Sequence, residues 1–234
     1  MEDYLHFFLA LAPAAAICWY IYVKDKYEKE PLRYLVLAFV LGVICVLPTS
    51  WVSVQMEYWL DASPSAEWLK SFIYAFFVIA AWEELAKFLF LRFYMYRKEA
   101  FNEPFDGIVY GVMIGMGFAT FENVFYVMDG GWETALIRMF TAVPAHAVFG
   151  IVMGYYVGRA KFDPSHLKGL TLKGLIVPII IHGSYDFFLF QESIPLLGIG
   201  AIVSLLISFR YAKKMIDEQQ ETSPFRNQKP PSAS

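Results

Sequence analysis

Charge is scarce in this chain, and so is cysteine. Asp, Glu, Lys and Arg make up 18% of the 234 residues, with a formal net charge of −3. Soluble domains carry about 25% charged residues. So small a net charge excludes the strongly basic surface that a nucleic-acid partner requires. There are two cysteines, Cys18 and Cys45, and both fall inside apolar runs. That excludes a disulfide framework, and the pair reads as buried small hydrophobes. No Lys or Arg precedes Lys24. The first apolar run therefore lacks the basic lead of a secretory signal peptide, despite Ala14-Ala15-Ala16, and is expected to stay in the protein as a span. Internal repeats and a soluble domain are likewise missing.

What is abundant is apolar sequence. Hydrophobic residues make up 58% of the chain, and the mean hydropathy is +0.46. The excess comes in runs of about twenty residues, the length that crosses a hydrocarbon core. The fold class expected is all-α, a polytopic transmembrane bundle of about seven spans over residues 1–212. The spans are placed at 4–23, 34–54, 71–91, 107–128, 135–157, 174–190 and 196–209. The last two are short and joined across Gln191-Glu192-Ser193-Ile194, so a hairpin that does not fully cross is the alternative. Residues 213–234 are polar and carry Pro224, Pro230 and Pro231, and they read as a disordered cytoplasmic tail.

Basic residues fix the orientation. Sixteen of the nineteen lie in the 24–33, 92–106 and 158–173 loops and the C-terminal segment, whereas the opposite loops hold only Lys70. This bias places the loops in the cytoplasm and the N-terminus outside, in a multi-pass cell-membrane protein whose immediate partner is the bilayer. Gly107, Gly111 and Gly115, with Gly154 and Gly158, have the four-residue spacing that lets helices approach closely in lipid.

Against this background the ionisable residues within spans stand out. Glu83 and Glu84 sit side by side in the third run, and a carboxylate at mid-bilayer costs roughly 2.5–3.5 kcal/mol. Lys87 is four residues from Glu83 and three from Glu84, so it shares a helix face with both. One carboxylate is expected to pair with Lys87 and leave the other free; a purely structural ion network is the alternative. Glu122, Asn123 and Tyr126 share a face of the fourth span. His146 follows Pro144, whose missing N–H frees a carbonyl and suits a wet cavity. Arg138 either counters a carboxylate or snorkels to the interface. His182 and Asp186, four apart, suit metal ligation or an acid-oriented histidine. At ~1.5 Å rise per residue, His182, Glu83 and Glu84 fall near the midplane, with Glu122 and Asp186 towards the outer side. Four acids against two cations leave an excess of −2, which requires protonated carboxyls, charged histidines or a bound divalent metal such as zinc. His-Glu-x-x-His is not present.

Taken together, Glu83-Glu84-Leu85-Ala86-Lys87, Asp106-Gly107-Ile108-Val109-Tyr110-Gly111, Gly117-Phe118-Ala119-Thr120-Phe121-Glu122-Asn123, the His146 segment and His182-Gly183-Ser184-Tyr185-Asp186 resemble the PrsW family of membrane proteases. The Tyr22–Pro31 stretch matches as well. The resemblance implies extracytoplasmic cleavage of a single-pass anti-sigma factor. That cut starts regulated intramembrane proteolysis and releases a stress sigma factor. It carries the family's paired glutamates onto Glu83 and Glu84 and its key histidine onto His182. The family is also distantly similar to CAAX-type membrane proteases. Lys87 and Asp186 stand where those have an arginine one residue further on and often an asparagine, which argues against CAAX activity.

The chemistry expected is general-base hydrolysis. Glu83 or Glu84 deprotonates water, and His146 and His182 stabilise the oxyanion or hold a metal. Glu122 serves as relay or ligand, so the candidate metal ligands are His146, His182 and Glu122. A presenilin-type reading finds Tyr185-Asp186 but no Gly-x-Gly-Asp, and no rhomboid Gly-x-Ser-x falls in a span. The competing class is a proton-coupled transporter or channel, which uses span carboxylates and histidines equally well.

Overall fold

The computed structural model describes residues 2–191 and 195–227. All regular structure among them is helical. Helix α1 spans Glu2–Lys24 and α2 spans Leu32–Asp61. A continuous helical run then carries α3 (Glu67–Ile73), a π-helical stretch (Tyr74–Ala80), α4 (Ala81–Leu89), further π-helical turns (Phe90–Tyr94) and a 3-10 turn (Met95–Arg97). Helices α5 (Pro104–Phe140), α6 (Ala142–Phe162), α7 (Leu167–Leu189) and α8 (Gly198–Glu221) complete the order.

Helices α5 and α6 form the centre, and their glycines explain how. A Cβ on Gly107 would lie 2.3 Å from the Gly154 carbonyl oxygen, and one on Gly111 would lie 2.4 Å from that of Gly150. Only backbone fits there, so the two helices touch main chain to main chain, as small-residue spacing in lipid permits. Helices α1 and α2 pack on α5, and α7 packs on α6 and the π-helical stretch.

The outer surface is apolar. Leu47, Trp51, Tyr58, Trp59 and Ile137 are all largely exposed. Helix α4 reverses the soluble pattern: Glu83, Glu84 and Lys87 are buried, while Trp82 and Leu89 are 42% and 46% exposed. Charges inside and hydrophobes outside are what a lipid solvent demands.

Among the described residues, four helices are long and apolar enough to cross a membrane: Leu32–Asp61, Pro104–Met128, Gly130–Phe162 and Pro164–Leu189. The expected count of seven is not reached on that measure. The 71–91 segment is divided by π-helical turns and carries three charges. The proposed turn at residues 192–194 lies outside the described residues. The polar C-terminal segment, read as a disordered tail from 213, is helical as far as Glu221. Its Gln219 donates to the Tyr155 carbonyl at 3.1 Å, Gln220 donates to the Lys24 carbonyl, and Ser223 donates to Glu103. Residues 228–234 lie outside the described part.

Two local features position the polar residues. Gly131, at φ +68, breaks the long α5 helix, a conformation only glycine adopts cheaply. Residues 122 and 138 would be ~24 Å apart along a straight helix; the break folds the chain back and brings Arg138 onto Glu122. At the other end of α5, Pro104 occupies the first helical turn. Glu103 and Asp106 close a capping box, in which Asp106 Oδ2 accepts from the Glu103 amide at 2.8 Å.

Candidate active site

Side chains from α4, α5, α6 and α7 converge on one buried network. Lys87 Nζ lies 2.8 Å from Glu84 Oε1, 3.3 Å from Glu83 Oε2 and 3.2 Å from His146 Nδ1. The ammonium also sits 4.0 Å from the centre of the Phe118 ring. Lys87 therefore grips both glutamates, rather than pairing with one and freeing the other. Lysine has no acceptor, so His146 Nδ1 must accept and Nε2 must carry the proton. That proton meets Glu122 Oε2 at 3.1 Å.

Arg138 holds Glu122 and its neighbour Asn123. Arg138 Nη2 donates to its Oε2 at 2.7 Å, and Arg138 Nε donates to Asn123 Oδ1 at 2.8 Å. The guanidinium also lies 3.9 Å from the Tyr126 ring centre. Of the two expectations for Arg138, the carboxylate partner is the one observed. Pro144 is not a mid-span proline: it is the third residue of α6, where its absent N–H would have had no helical partner. His146 consequently projects from the first turns of α6 into the network.

His182 completes the set. Its Nδ1 is 2.9 Å from Glu84 Oε1 and its Nε2 is 3.1 Å from Asp186 Oδ2. Each contact requires a proton between nitrogen and oxygen. Phe149 stacks on its ring at 4.5 Å, and the two histidine rings stand edge to face at 5.4 Å. Phe118 and Phe149 were not singled out from the sequence, because an aromatic in a span looks like any other packing residue.

A cavity of about 320 Å³ opens onto this network. Glu83, Glu122, His146, His182, Asp186 and Arg138 line it, and Glu57 and Tyr74 lie on its wall as well. Glu84 does not line it and is fully buried. The two adjacent glutamates are thus unequal: Glu83 faces the space, and Glu84 lies behind it, fixed by Lys87 and His182.

A sequence model of the "PrsW family intramembrane metalloprotease" matches residues 30–212. The chain belongs to the PrsW family. A protein named Protease PrsW from Geobacillus kaustophilus (strain HTA426) is 38% identical over 183 residues, covering 78% of each chain. Its namesake in Bacillus subtilis (strain 168) is 38% identical over 181 residues, which is 76% of this chain and 80% of the relative. The Clostridioides difficile (strain 630) protein of that name is 34% identical over 193 residues, covering 80% and 79%. No solved structure matches the chain. The family's metalloprotease character asks whether these residues suit a metal. Donor atoms of Glu83, Glu84 and His146 lie within 4.8 Å of one another, and Glu84 Oε2 is buried without a hydrogen-bond partner. Two carboxylates and an imidazole form an ordinary donor set for zinc and similar ions. This is not the trio expected from sequence. His146 is common to both sets, while His182 and Glu122 lie outside this group of mutually close donors.

Proposed function

We propose that this chain is a membrane-embedded endopeptidase that cuts a single-pass membrane protein on its extracytoplasmic side, with an anti-sigma factor as the substrate class. Such a cut starts regulated intramembrane proteolysis and releases a stress sigma factor. Family membership supports the protease chemistry. The observation that carries the reading is the cavity, because it exposes one glutamate of the pair to water and peptide while the second stays buried.

In this reading Glu83 takes the proton from the attacking water, as a general base within hydrogen-bond reach must. Glu84 holds Lys87 and His182 in register. His182, between Glu84 and Asp186, and His146, whose Nε2–H points to Glu122, supply the donors for the developing oxyanion. Glu122, fixed by Arg138, orients His146 and relays its proton. Glu83, Glu84 and His146 are the residues that would hold a metal. A bound divalent ion such as zinc would supply polarisation of the carbonyl and a more acidic water. A carboxylate has two oxygens, so ligation through one leaves the other to act on the proton.

The topology that goes with this reading has seven membrane-crossing segments, an outside N-terminus and a cytoplasmic C-terminus. The basic loop bias supports it. Reporter fusions after residues 62 and 168 are expected to read outside and inside.

The deciding experiment uses the full chain reconstituted in vesicles with a single-pass substrate. Wild type is expected to release a fragment cut near the outer membrane face, and Glu83→Gln to lose that cut while still inserting. Metal analysis is expected to show an ion that Glu84→Gln and His146→Ala lose and Asp186→Asn keeps. Wild-type cleavage by a Glu83→Gln, Glu84→Gln double variant would refute the assignment. Proton leakage without any cleavage would favour the transporter class.

A further inference from the structure

A second buried acidic group lies far along the chain from the first, where the 25–31 turn meets the start of α5. Asp25, Glu30 and Asp106 are 0%, 2% and 0% exposed, and Glu28 is half-buried at the rim. One carboxylate oxygen each from Glu28, Glu30 and Asp106 lie within 4.8 Å of one another. None of these residues belongs to the proposed active site.

The carboxylates share a pattern. Three of the four have one oxygen anchored by a donor. Asp25 Oδ2 accepts from the Glu30 amide at 3.1 Å. Glu30 Oε2 accepts from the Tyr110 hydroxyl. Asp106 Oδ2 accepts from the amides of Asn102 at 2.6 Å and Glu103 at 2.8 Å. Asn102 lies beside Glu28 at the rim. In every case one oxygen has no partner: Asp25 Oδ1, Glu28 Oε2, Glu30 Oε1 and Asp106 Oδ1 are all buried and unsatisfied. Buried carboxylate oxygens left so are costly.

Nearby lysines do not fill the gap. Lys29 donates to the Tyr22 carbonyl, and Lys161 donates to the Tyr96 and Phe101 carbonyls at 2.6 Å each. The site holds four carboxyl groups, rigid oxygen donors, and no lysine or arginine donating to any of the four acids among the described residues. That is the specification of a hard-cation site.

We propose that Glu28, Glu30 and Asp106 form a second divalent-cation site, with Asp25 as an outer acid, that ties the 25–31 turn to the head of α5. An all-oxygen donor set selects Mg²⁺ or Ca²⁺ over ions that prefer nitrogen or sulfur. The half-buried Glu28 marks its route to solvent. The ion crosslinks the α1–α2 connection to α5, which in turn carries Glu122 into the active site.

The test counts Mn²⁺, a paramagnetic stand-in for Mg²⁺, bound to the purified full chain after chelation. A Glu83→Gln, Glu84→Gln background removes the mid-bundle donors from the count. One Mn²⁺ per chain is expected, displaced by Mg²⁺ or Ca²⁺. Glu30→Gln and Asp106→Asn are expected to abolish binding. Glu28→Gln, at the rim and therefore tolerant of folding, is expected to weaken it at least tenfold. Mg²⁺ is expected to raise the melting temperature of the parent protein and not that of Glu30→Gln. A cooperatively melting protein that binds no Mn²⁺, or one whose Mn²⁺ affinity the Glu28→Gln change leaves unaltered, would overturn the proposal.

Discussion

The bundle contains two nests of buried acids, and they are built on opposite principles. In the first, Glu83, Glu84, Glu122 and Asp186 are interleaved with Lys87, Arg138, His146 and His182, so every acid touches a nitrogen donor. In the second, Asp25, Glu30 and Asp106 have neutral donors on one oxygen, and each of these acids and Glu28 keeps a buried oxygen with no partner. The first nest is threaded with cations and histidines of the protein and opens onto a cavity. The second is anchored but uncompensated. Burial by itself therefore does not distinguish the two nests; the nitrogen donors that thread the first and are missing from the second do.

The largest expected effect follows from removing compensation in the first nest. Lys87→Met strips the cation from two buried carboxylates and the partner from His146. Breaking a buried pair on one side costs roughly 3–5 kcal/mol. Loss of cleavage and a large fall in denaturant midpoint are expected together. Unchanged stability would mean that the two glutamates are already neutral, and the contrast between the nests would collapse.

A smaller effect is expected at Arg138. It meets Glu122 at the edge of the network, where both side chains keep some exposure. A double-mutant cycle of Arg138→Met with Glu122→Gln should return a coupling of roughly 0.5–3 kcal/mol. A coupling near zero would show that Gly131 alone, and not the ion pair, folds the end of α5 back.

The second nest should respond with the opposite sign. In chelator at alkaline pH, Glu30→Gln removes one uncompensated charge and leaves an oxygen for Tyr110. The melting temperature is expected to rise by ~2–4 °C, the equivalent of about 1 kcal/mol. A clear fall would show that the Glu30 charge is already balanced.

Much of the first nest was legible in the sequence, because an ionisable residue within a twenty-residue apolar run has no innocent explanation. Glu83, Glu84, Glu122, His146 and His182 meet in one network, as their positions within spans implied. The pairings were not legible. Helix spacing joined Lys87 to both glutamates but could not reveal His146 on its far side, 59 residues away. Arg138 reaches Glu122 only because a glycine adopts positive φ, which no periodicity reports. Of the seven spans expected, four stand out among the described residues as helices long and apolar enough to cross, and hydropathy along the sequence did not report the π-helical turns that interrupt 67–97. The second nest escaped notice as a site for a different reason. Its acids lie in a connection and at a helix start, where charges are usually solvated, and only the three-dimensional packing buries them.

The finest test of the contrast is pH, applied to Asp25 and Glu30, two of the three acids of the second nest that lie in the α1–α2 connection. Burial pushes both Asp25 and Glu30 up to about 7. For Asp25, Lys29 pulls the other way, while Glu103 and Glu28 add to the rise. For Glu30, the Tyr110 hydroxyl and Asp106 oppose the rise, and Glu28 and Asp25 add to it. In an unfolded chain the same groups titrate at about 3.9 and 4.3. Between those values and 7 the folded protein holds more protons than the unfolded one. Stability in chelator is therefore expected to decline as pH climbs from about 4 to about 7, and this contribution should level off above that. Asp25→Asn should flatten part of that decline. A chain whose stability instead rose through this window, with no response to Asp25→Asn, would have its second nest compensated from within, and the two nests would no longer differ in kind.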